Sequence, residues 1–327
     1  MYDAHHRTNL GAFIHLFMML GPFVGLGIVA SLSPNPDSYL MMSIILALIA
    51  LLSFILSIPG LREDESLKET YFKGEIPHKP FFSEFLSNIK QSFQLRPFIV
   101  LAIVTLCITV ALALINASQP YYVAYILGIQ NHESQEFGQI VITVALPYVL
   151  TTVLFIPLYA WIVKKIGHSK TFKFALLISP IPLLLIFISF IFGTQASLPL
   201  VMLGAAMWGV VGGIVVISRI PVQGDFFDSS ALKFHRRQEG VYLGIWNFFA
   251  RMVTVIQIGT LFIIHTLTSF DPKVTPLTDL ALWGIMAHFG LVPAIFMIFA
   301  SLVYWKYWDQ TPEKVETFKT ELKKLGI

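Results

Sequence analysis

Long runs of apolar residues, separated by short polar breaks, recur along the whole sequence. About 20 consecutive apolar residues are needed to cross the roughly 30 Å hydrocarbon layer of a bilayer. Charged residues make up 13% of the sequence, against roughly 25% in a soluble domain, and the mean hydropathy is +0.73. Backbone groups in lipid need internal hydrogen bonds, so each run is predicted to be a helix. The sequence therefore predicts an all-α membrane protein with transmembrane helices near residues 9–32, 39–61, 97–120, 137–163, 172–193, 199–220, 241–268 and 279–307.

The loop charges predict the orientation of these eight helices. Of the 22 Lys and Arg residues, 20 lie in segments on one side of the predicted membrane, Lys273 lies on the other side, and Arg251 lies within a helix. Cytoplasmic loops carry an excess of Lys and Arg, and an even number of spans places both termini on the same side. We therefore expect a multi-pass protein of the plasma or inner membrane with cytoplasmic N- and C-termini.

The longest polar segment, residues 62–96, is predicted to be a cytoplasmic linker. In its second half, Phe81, Phe85 and Ile89 recur at helical spacing with polar residues between them. This pattern predicts an amphipathic helix on the membrane surface, and a helix that binds a partner protein is the alternative. The C-terminal tail, residues 309–327, is predicted to contain a charged, solvated helix.

Arg251 carries the most information about function. It lies about ten residues into its predicted helix, or about 15 Å deep, close to the bilayer midplane. A charge at this depth costs at least ~2.5 kcal/mol and normally faces the bundle interior or a wet cavity. The same helical face carries Gly244, Asn247 and Thr254. Arg251 and Asn247 are therefore candidate cavity-lining residues, and an arginine that snorkels or pairs structurally with another helix is the alternative.

A second polar cluster lies at the end of the helix that begins at Pro97. It consists of Asn116, Gln119, Pro120, Tyr121, Tyr122 and Tyr125. Proline removes a helical hydrogen bond, and a broken helix at membrane depth is tolerated where it lines a cavity. Asn116, Gln119, Tyr121 and Tyr122 are therefore candidate substrate-binding residues. An interfacial aromatic belt with a proline kink explains the same residues equally well.

Opposite charges crowd the segment that follows the sixth predicted helix. They are Asp225, Asp228, Lys233, Arg236, Arg237 and Glu239. Ion pairs in short loops can hold helix ends together in one state and release them in another. A solvated polar loop is the alternative, and the spacing alone favours it.

Enzyme and metal signatures are absent from the sequence. His132–Glu136 lacks the final histidine of an HExxH motif, and there is no GxSxG motif or P-loop. No predicted helix carries an Asp or Glu at its centre, and the single cysteine, Cys107, lies in an apolar run. We therefore expect no enzymatic activity, no metal centre, no cofactor and no nucleic-acid partner.

The segment that contains these charges matches a known family. It begins with Pro221-Val222-Gln223-Gly224-Asp225-Phe226-Phe227-Asp228, continues with Arg237-Gln238-Glu239-Gly240, and ends at Arg251, 14 residues after Arg237. It resembles the glycoside–pentoside–hexuronide:cation symporters, the melibiose-carrier branch of the major facilitator superfamily. In that family an acidic pair ends helix ten and an Arg-x-Glu motif opens helix eleven, and a basic residue follows 14 residues after the motif arginine. The resemblance also places Asn247 at the position of a sugar-contacting threonine.

The resemblance extends over nearly the whole chain. Residues 1–21 resemble the approach to helix five, and residues 88–98 and 122–128 resemble the two ends of helix seven. Residues 164–170, which include Lys170, resemble the basic loop between helices eight and nine. The resemblance therefore implies a partial major facilitator fold. Residues 1–61 would supply the last two helices of the N-terminal half, and residues 97–308 a complete six-helix C-terminal half.

The resemblance also implies a function, which is cation-coupled symport of a sugar or glycoside by alternating access. Arg251 and Asn247 would line the central cavity, and a cytoplasmic gate would be formed by Asp225, Asp228, Arg236, Arg237, Glu239 and Lys170. The family binds its coupling ion, Na⁺ or H⁺, in helices one to four, which have no counterpart here. The family's usual arginine within helix five falls on Ile14, with His15 beside it.

Because of these differences, we expect impaired transport by this chain in isolation. Two alternatives follow. One is a non-transporting membrane subunit that pairs with a complementary four-helix chain or a second copy. The other is a carrier of a lysolipid-like amphiphile on the same fold.

Overall fold

The computed structural model describes residues 4–31, 36–61, 81–131, 134–234, 238–274 and 276–325, and the regular structure in these ranges is helical. Seven helices in the described ranges are long and apolar enough to cross a membrane. They are Ser38–Gly60, Arg96–Ile126, Glu136–Leu154, His168–Phe192, Ala196–Phe234, Glu239–Leu267 and Asp279–Tyr307. This confirms the all-helical membrane architecture. The described part of the first predicted span, residues 9–31 of 9–32, is also helical but is not among these seven, so the count of eight stays a prediction.

The α-helices have the following bounds in the described ranges. They are α1 (Ala4–Ser31), α2 (Pro36–Ser57), α3 (Phe81–Ser92), α4 (Arg96–Tyr121), α5 (Gln135–Leu154), α6 (Ile156–Ile166), α7 (His168–Ile178), α8 (Pro180–Ile188), α9 (Thr194–Phe234), α10 (Glu239–Leu267), α11 (Asp279–Met286), α12 (Val292–Tyr307) and α13 (Pro312–Leu325). Turns of 3₁₀-helix follow α2 and α8, and single π-helical segments follow α4 and α11. The predicted span 137–163 is therefore two helices, because α6 restarts after Phe155 with a proline in its first turn.

Helix α9 lies at the centre of the fold. It packs against α1, α5, α7, α8 and α13. It is 41 residues long, which corresponds to about 60 Å, so it is about twice as long as a bilayer's hydrocarbon layer is thick. The predicted span 199–220 ended where charged residues begin, but the helix continues to Phe234. The expectation that Asp225 and Asp228 lie in a solvated loop was therefore wrong, since both are buried helical residues.

A glycine allows α5 and α9 to pack closely. A Cβ atom on Gly209 would lie 2.5 Å from the carbonyl oxygen of Tyr148, so a larger residue there would force the two backbones apart. Across the same contact, Thr152 Oγ1 donates a hydrogen bond to the Gly209 carbonyl at 3.2 Å. The small residues of α9 therefore hold it directly against the backbone of α5.

Aromatic rings join α4, α9 and α10 where α4 and α10 begin and α9 approaches its end. The rings of Phe98 and Trp246 stack at 5.7 Å with an interplanar angle of 7°, and Phe226 and Tyr242 pack beside them. Each such pair contributes about 0.5–1.5 kcal/mol beyond the buried area. We call this end of the bundle the basic end, because Arg7, Arg96 and the Lys164–Lys170 segment also lie there.

Two predicted helices outside the bundle are also present. Helix α3 lies in the second half of the linker, where the sequence predicts a helix, and its position on the membrane surface stays a prediction. Helix α13 is not simply solvated, because Val315 and Leu322 are buried and the helix packs against α9. The tail is therefore part of the fold at the basic end.

Candidate functional site

A cavity of about 180 Å³ lies in the middle of the helix bundle. Its polar lining comes from Asn116 and Gln119 on α4, Tyr148 on α5 and Trp208 on α9. The other lining residues are Met19, Leu112, Ile115, Val144, Ala145, Val149, Ile186, Ala205 and Phe289. Amide groups both donate and accept hydrogen bonds, and aromatic rings offer flat apolar faces. This lining suits a small solute with several hydroxyl groups and apolar ring faces.

Trp208 has an unused hydrogen-bonding group. Its side chain is 3% exposed, and its Nε1 atom is buried with no hydrogen-bond partner among the described residues. An indole N–H can only donate, and leaving a buried donor unpaired costs about 1–3 kcal/mol. Trp208 is therefore a candidate donor to a bound solute.

Below the cavity, at the basic end, α1, α7 and α9 meet in a buried ion network. Arg7 Nη2 donates to Oδ2 and Oδ1 of Asp228 at 2.9 and 3.1 Å. Arg7 Nη1 also lies 3.9 Å from Oδ1 of Asp225, whose Oδ2 is 2.5 Å from His168 Nε2. Asp225 and Asp228 are 2% and 0% exposed. Because removing one member of a buried ion pair costs about 3–5 kcal/mol, this network is a strong contact between α1 and α9.

Gly224 makes room for this network. A Cβ atom at this position would lie 2.4 Å from Nη1 of Arg7 and 2.8 Å from its Cδ. No unshifted side chain tolerates such distances, so a larger residue at 224 would push the guanidinium away from Asp228. The glycine of the Gln223-Gly224-Asp225 sequence is therefore a packing requirement of the ion pair.

A second, more open crevice of about 410 Å³ lies between the 164–170 segment and α13. Lys170, His168 and Asp225 all line it. Lys170 is exposed. Hydrogen bonds from the Glu313 backbone and from Thr311 lower the pKa of Glu313, and the charge of Lys170 adds a smaller contribution in the same direction. Lys170 therefore lies at the rim of the ion network and makes no direct contact with its carboxylates in the described structure.

The structure separates the two predicted substrate-binding groups. Asn116 and Gln119 line the central cavity, whereas Asn247 and Arg251 lie on an exposed face of α10, together with Gly244 and Thr254. Only 6% of the most apolar stretch of α10 is buried. In the described part of the chain, this polar face is on the outside of the bundle.

Two predicted tyrosines lie away from the cavity. Tyr122 is fully buried, and its hydroxyl lies 2.9 Å from that of Ser197. Tyr121 packs against His265, His288 and Phe270. Pro120 does not end its helix, because α4 continues into the π-helical segment Tyr122–Ile126. Both tyrosines therefore support the helix end that carries Asn116 and Gln119.

The remaining predicted gate residues have different placements. Arg236 and Arg237 lie outside the described residues, and Glu239 is the first residue of α10. Sequence reasoning missed Arg7, His168, Tyr148 and Trp208. Arg7 and His168 could have been suspected as charges at helix starts, but the tyrosine and tryptophan are ordinary members of apolar runs.

Comparison with known proteins gives two findings. Residues 2–308 match the family model described as "MFS/sugar transport protein". The chain is also 23% identical over 312 residues to the "Glucuronide carrier protein homolog" of Escherichia coli (strain K12). This match covers 92% of the chain but 62% of that relative, so the chain spans less than two thirds of the relative's length.

Proposed function

Because the chain belongs to the MFS/sugar transport protein family, we propose that it is a secondary active transporter that moves a sugar or glycoside together with a cation. The observation that carries this proposal is the central cavity, which is lined by amides and aromatic rings. An ion network between α1 and α9 lies at the basic end of the same bundle. The curated relative is named a glucuronide carrier homolog, and a glucuronide belongs to this class of solute.

Asn116, Gln119, Tyr148 and Trp208 would hold the solute in the cavity. Their amide, hydroxyl and indole groups can pair with hydroxyl groups that lose water on entry. Arg251 and Asn247 would join this site in the assembled transporter, where another helix covers the exposed face of α10. A charge at membrane depth favours such a sheltered, wet position over lipid.

The Arg7–Asp228 pair would act as a gate. In the predicted orientation the basic end faces the cytoplasm, so closing this end blocks the path from the cavity to the cytoplasm. Opening would separate α1 from α9 and expose both charges to water, which hydrates them and offsets the lost contact. The gate would then have two states of similar energy, as alternating access requires.

The coupling ion is proposed to be Na⁺ or H⁺. In the ranges that the structure describes, no group of three or more His, Cys, Asp or Glu residues could hold a metal ion. The resemblance to the family would place the cation site in the family's helices one to four.

Uptake of labelled sugars into vesicles tests this proposal, with the protein made from its complete coding region. We expect uptake that depends on an imposed Na⁺ or pH gradient. Replacing Asn116 and Gln119 by alanine should reduce uptake on the order of tenfold or more, because each lost hydrogen bond costs about 0.5–1.5 kcal/mol. Gln139→Ala is the matched control, since this exposed glutamine of α5 does not line the cavity. Unchanged uptake of every sugar by the double variant would contradict the assigned site.

A second candidate is a membrane subunit that binds a separate helical chain. The exposed polar face of α10 favours it, as does α2, of which 6% of the most apolar stretch is buried. Arg251→Cys tests this alternative, because the native Cys107 is buried and does not compete for reagents. A transporter predicts labelling by a membrane-impermeant thiol reagent and protection by sugar. A subunit predicts a cross-link to the other chain and no effect of sugar. Including a lysolipid among the uptake substrates tests the third alternative.

A further inference from the structure

Two histidines from different helices meet at the end of the bundle opposite the basic end. His265 lies in the last turn of α10, and His288 lies in the π-helical segment Ala287–Leu291 that follows α11. Nε2 of His265 is 3.3 Å from Nε2 of His288. A hydrogen bond from an N–H group is normally about 2.7–3.2 Å long, so this separation is long for a direct hydrogen bond between the rings.

The separation of these two nitrogens fits a shared metal ion. Zinc binds an imidazole nitrogen at about 2.0–2.1 Å and arranges its ligands tetrahedrally. Two nitrogens bound to one such ion are therefore about 3.3–3.4 Å apart. The observed separation of the two Nε2 atoms is 3.3 Å. The two histidines thus match the spacing of two of the four ligand positions around a zinc ion.

Ser118 on α4 orients the ring of His288. Its Oγ atom lies 2.6 Å from Nδ1 of His288. The single hydroxyl proton has two carbonyl acceptors nearby, those of Leu114 and His288, at 2.5 and 3.1 Å. Because a carbonyl takes this proton, Oγ accepts a hydrogen bond from Nδ1–H, and the neutral ring then has a free lone pair on Nε2. Histidines that bind metals are commonly held in this way by a hydrogen bond at the other ring nitrogen.

Aromatic rings and an irregular backbone surround the pair. Tyr121 and Phe270 pack against the ring of His265, with centroids 5.2 and 4.4 Å away, and Tyr121 also packs against His288. π-helical segments are frequent at functional sites, and Ala287–Leu291 is such a segment. His288 is fully buried, whereas His265 is half-buried. The surroundings therefore hold both rings in place and leave an approach from the side of His265.

We propose that His265 and His288 together bind a divalent transition-metal ion of the Zn²⁺ class, with water in its remaining ligand positions. Imidazole nitrogens suit Zn²⁺, Cu²⁺ and Ni²⁺, whereas Mg²⁺ and Ca²⁺ prefer oxygen ligands. Two neutral imidazoles leave the charge of the ion uncompensated, so binding is weaker than at a structural zinc site with four protein ligands. Neither histidine lines the central cavity, so this site is separate from the proposed sugar site.

Calorimetric titration of the purified protein with ZnCl₂ tests the inference. The protein is made from its complete coding region and purified without a histidine tag, because such a tag binds zinc itself. We expect saturable binding of zinc by wild-type protein and no comparable binding of Mg²⁺. His265→Gln and His288→Gln should each abolish this binding. Ser118→Ala should weaken it on the order of 10- to 100-fold, because the ring of His288 loses the hydrogen bond that orients it.

His6→Gln is the matched control. It removes an exposed histidine from α1 at the basic end and should leave zinc binding unchanged. Thermal unfolding supplies a second readout, because a ligand that binds the folded state raises the unfolding midpoint. Zinc should raise the midpoint of wild-type protein and of the control, but not that of His265→Gln or His288→Gln.

Two results would overturn the inference, namely wild-type protein that binds no zinc and histidine variants that bind zinc as tightly as wild type. Where a histidine variant does not fold, Ser118→Ala decides, and equal zinc affinity in this variant and in wild type overturns the inference. None of these outcomes bears on sugar transport, which the uptake assay tests separately.

Discussion

Arg7 and Arg219 lie on the same interface between α1 and α9, but their surroundings differ. Arg7 binds Asp228 with two contacts of 2.9 and 3.1 Å and lies 3.9 Å from Asp225. The Nε atom of the half-buried Arg219 has no hydrogen-bond partner among the described residues, and neither ring nitrogen of His15 on α1 has one. The first arginine has carboxylate partners within the fold, whereas no carboxylate partner of the second is found among the described residues.

The difference predicts opposite contributions of the two arginines to the stability of the protein. A paired buried charge stabilises the state in which its partner is present, so Arg7 holds the two helices together. A charged side chain with a buried polar atom and no partner lowers the stability of the protein. The same substitution at the two positions should therefore change stability in opposite directions.

The largest effect is expected for Arg7→Met. This change leaves Asp228 buried without its cation and should lower the free energy of unfolding by about 3–5 kcal/mol. Thermal unfolding in detergent measures it, through the reaction of Cys107 with a fluorogenic maleimide. Cys107 is the single cysteine and is buried, so its reactivity reports loss of structure.

Lys273→Met serves as the control for Arg7→Met, because Lys273 is exposed and should shift stability by less than about 0.5 kcal/mol. An Arg7→Met variant as stable as the control would show that the ion network contributes nothing to the closed basic end.

A smaller loss is expected for Gly224→Ala. The new Cβ atom would lie 2.4 Å from Arg7 Nη1, so the guanidinium must move and the overpacking should cost about 1–3 kcal/mol. Gly259→Ala on α10 is the matched control, because apart from the adjacent residues and the local helix backbone no described atom lies within 4 Å of its Cβ position. There the helix propensity of alanine should raise stability by up to about 1 kcal/mol. The same thiol assay compares the two variants, and equal midpoints would argue against a tight packing of Arg7 on Gly224.

The smallest change, with the opposite sign, is expected for Arg219→Met. Replacing an unpaired cation by an apolar side chain of similar length should raise the free energy of unfolding by about 0.5–2 kcal/mol. The measurement is again the unfolding midpoint, made without added sugar. A loss as large as that of Arg7→Met would mean that Arg219 has a structural counter-ion and would erase the contrast between the two arginines.

Much of the fold follows from hydropathy, and its main error has a clear cause. The apolar runs 39–61, 97–120, 241–268 and 279–307 coincide with observed helices within a few residues. The sixth run was ended too early, because charged residues normally mark the end of a span. In α9 the charged residues do not end the helix, because Arg7, 221 residues earlier in the chain, neutralises Asp228. A pairing over such a separation leaves no local signal in the sequence.

The site was predictable only where polar residues interrupt apolar runs. Asn116 and Gln119 stood out for this reason, and both line the cavity. Tyr148 and Trp208 gave no such signal, because aromatic residues are common in apolar helices. Arg251 also stood out, yet the described structure leaves it on the outer face of α10. Depth along a helix can be read from the sequence, but the direction in which a side chain points depends on which helices pack around it.

The length of α9 has a mechanical consequence. Trp208 in the cavity and Asp228 at the basic end belong to one helix and are separated by about 30 Å along its axis. A tilt of about 10° around the cavity would displace Asp228 by about 5 Å, which exceeds its 2.9 Å contact with Arg7. Pro221 lies between Trp208 and Asp228 and lacks a backbone N–H. Any bending of α9 that reduces this displacement should therefore occur at Pro221. Movements in the cavity and at the basic end are thus linked through a single continuous helix.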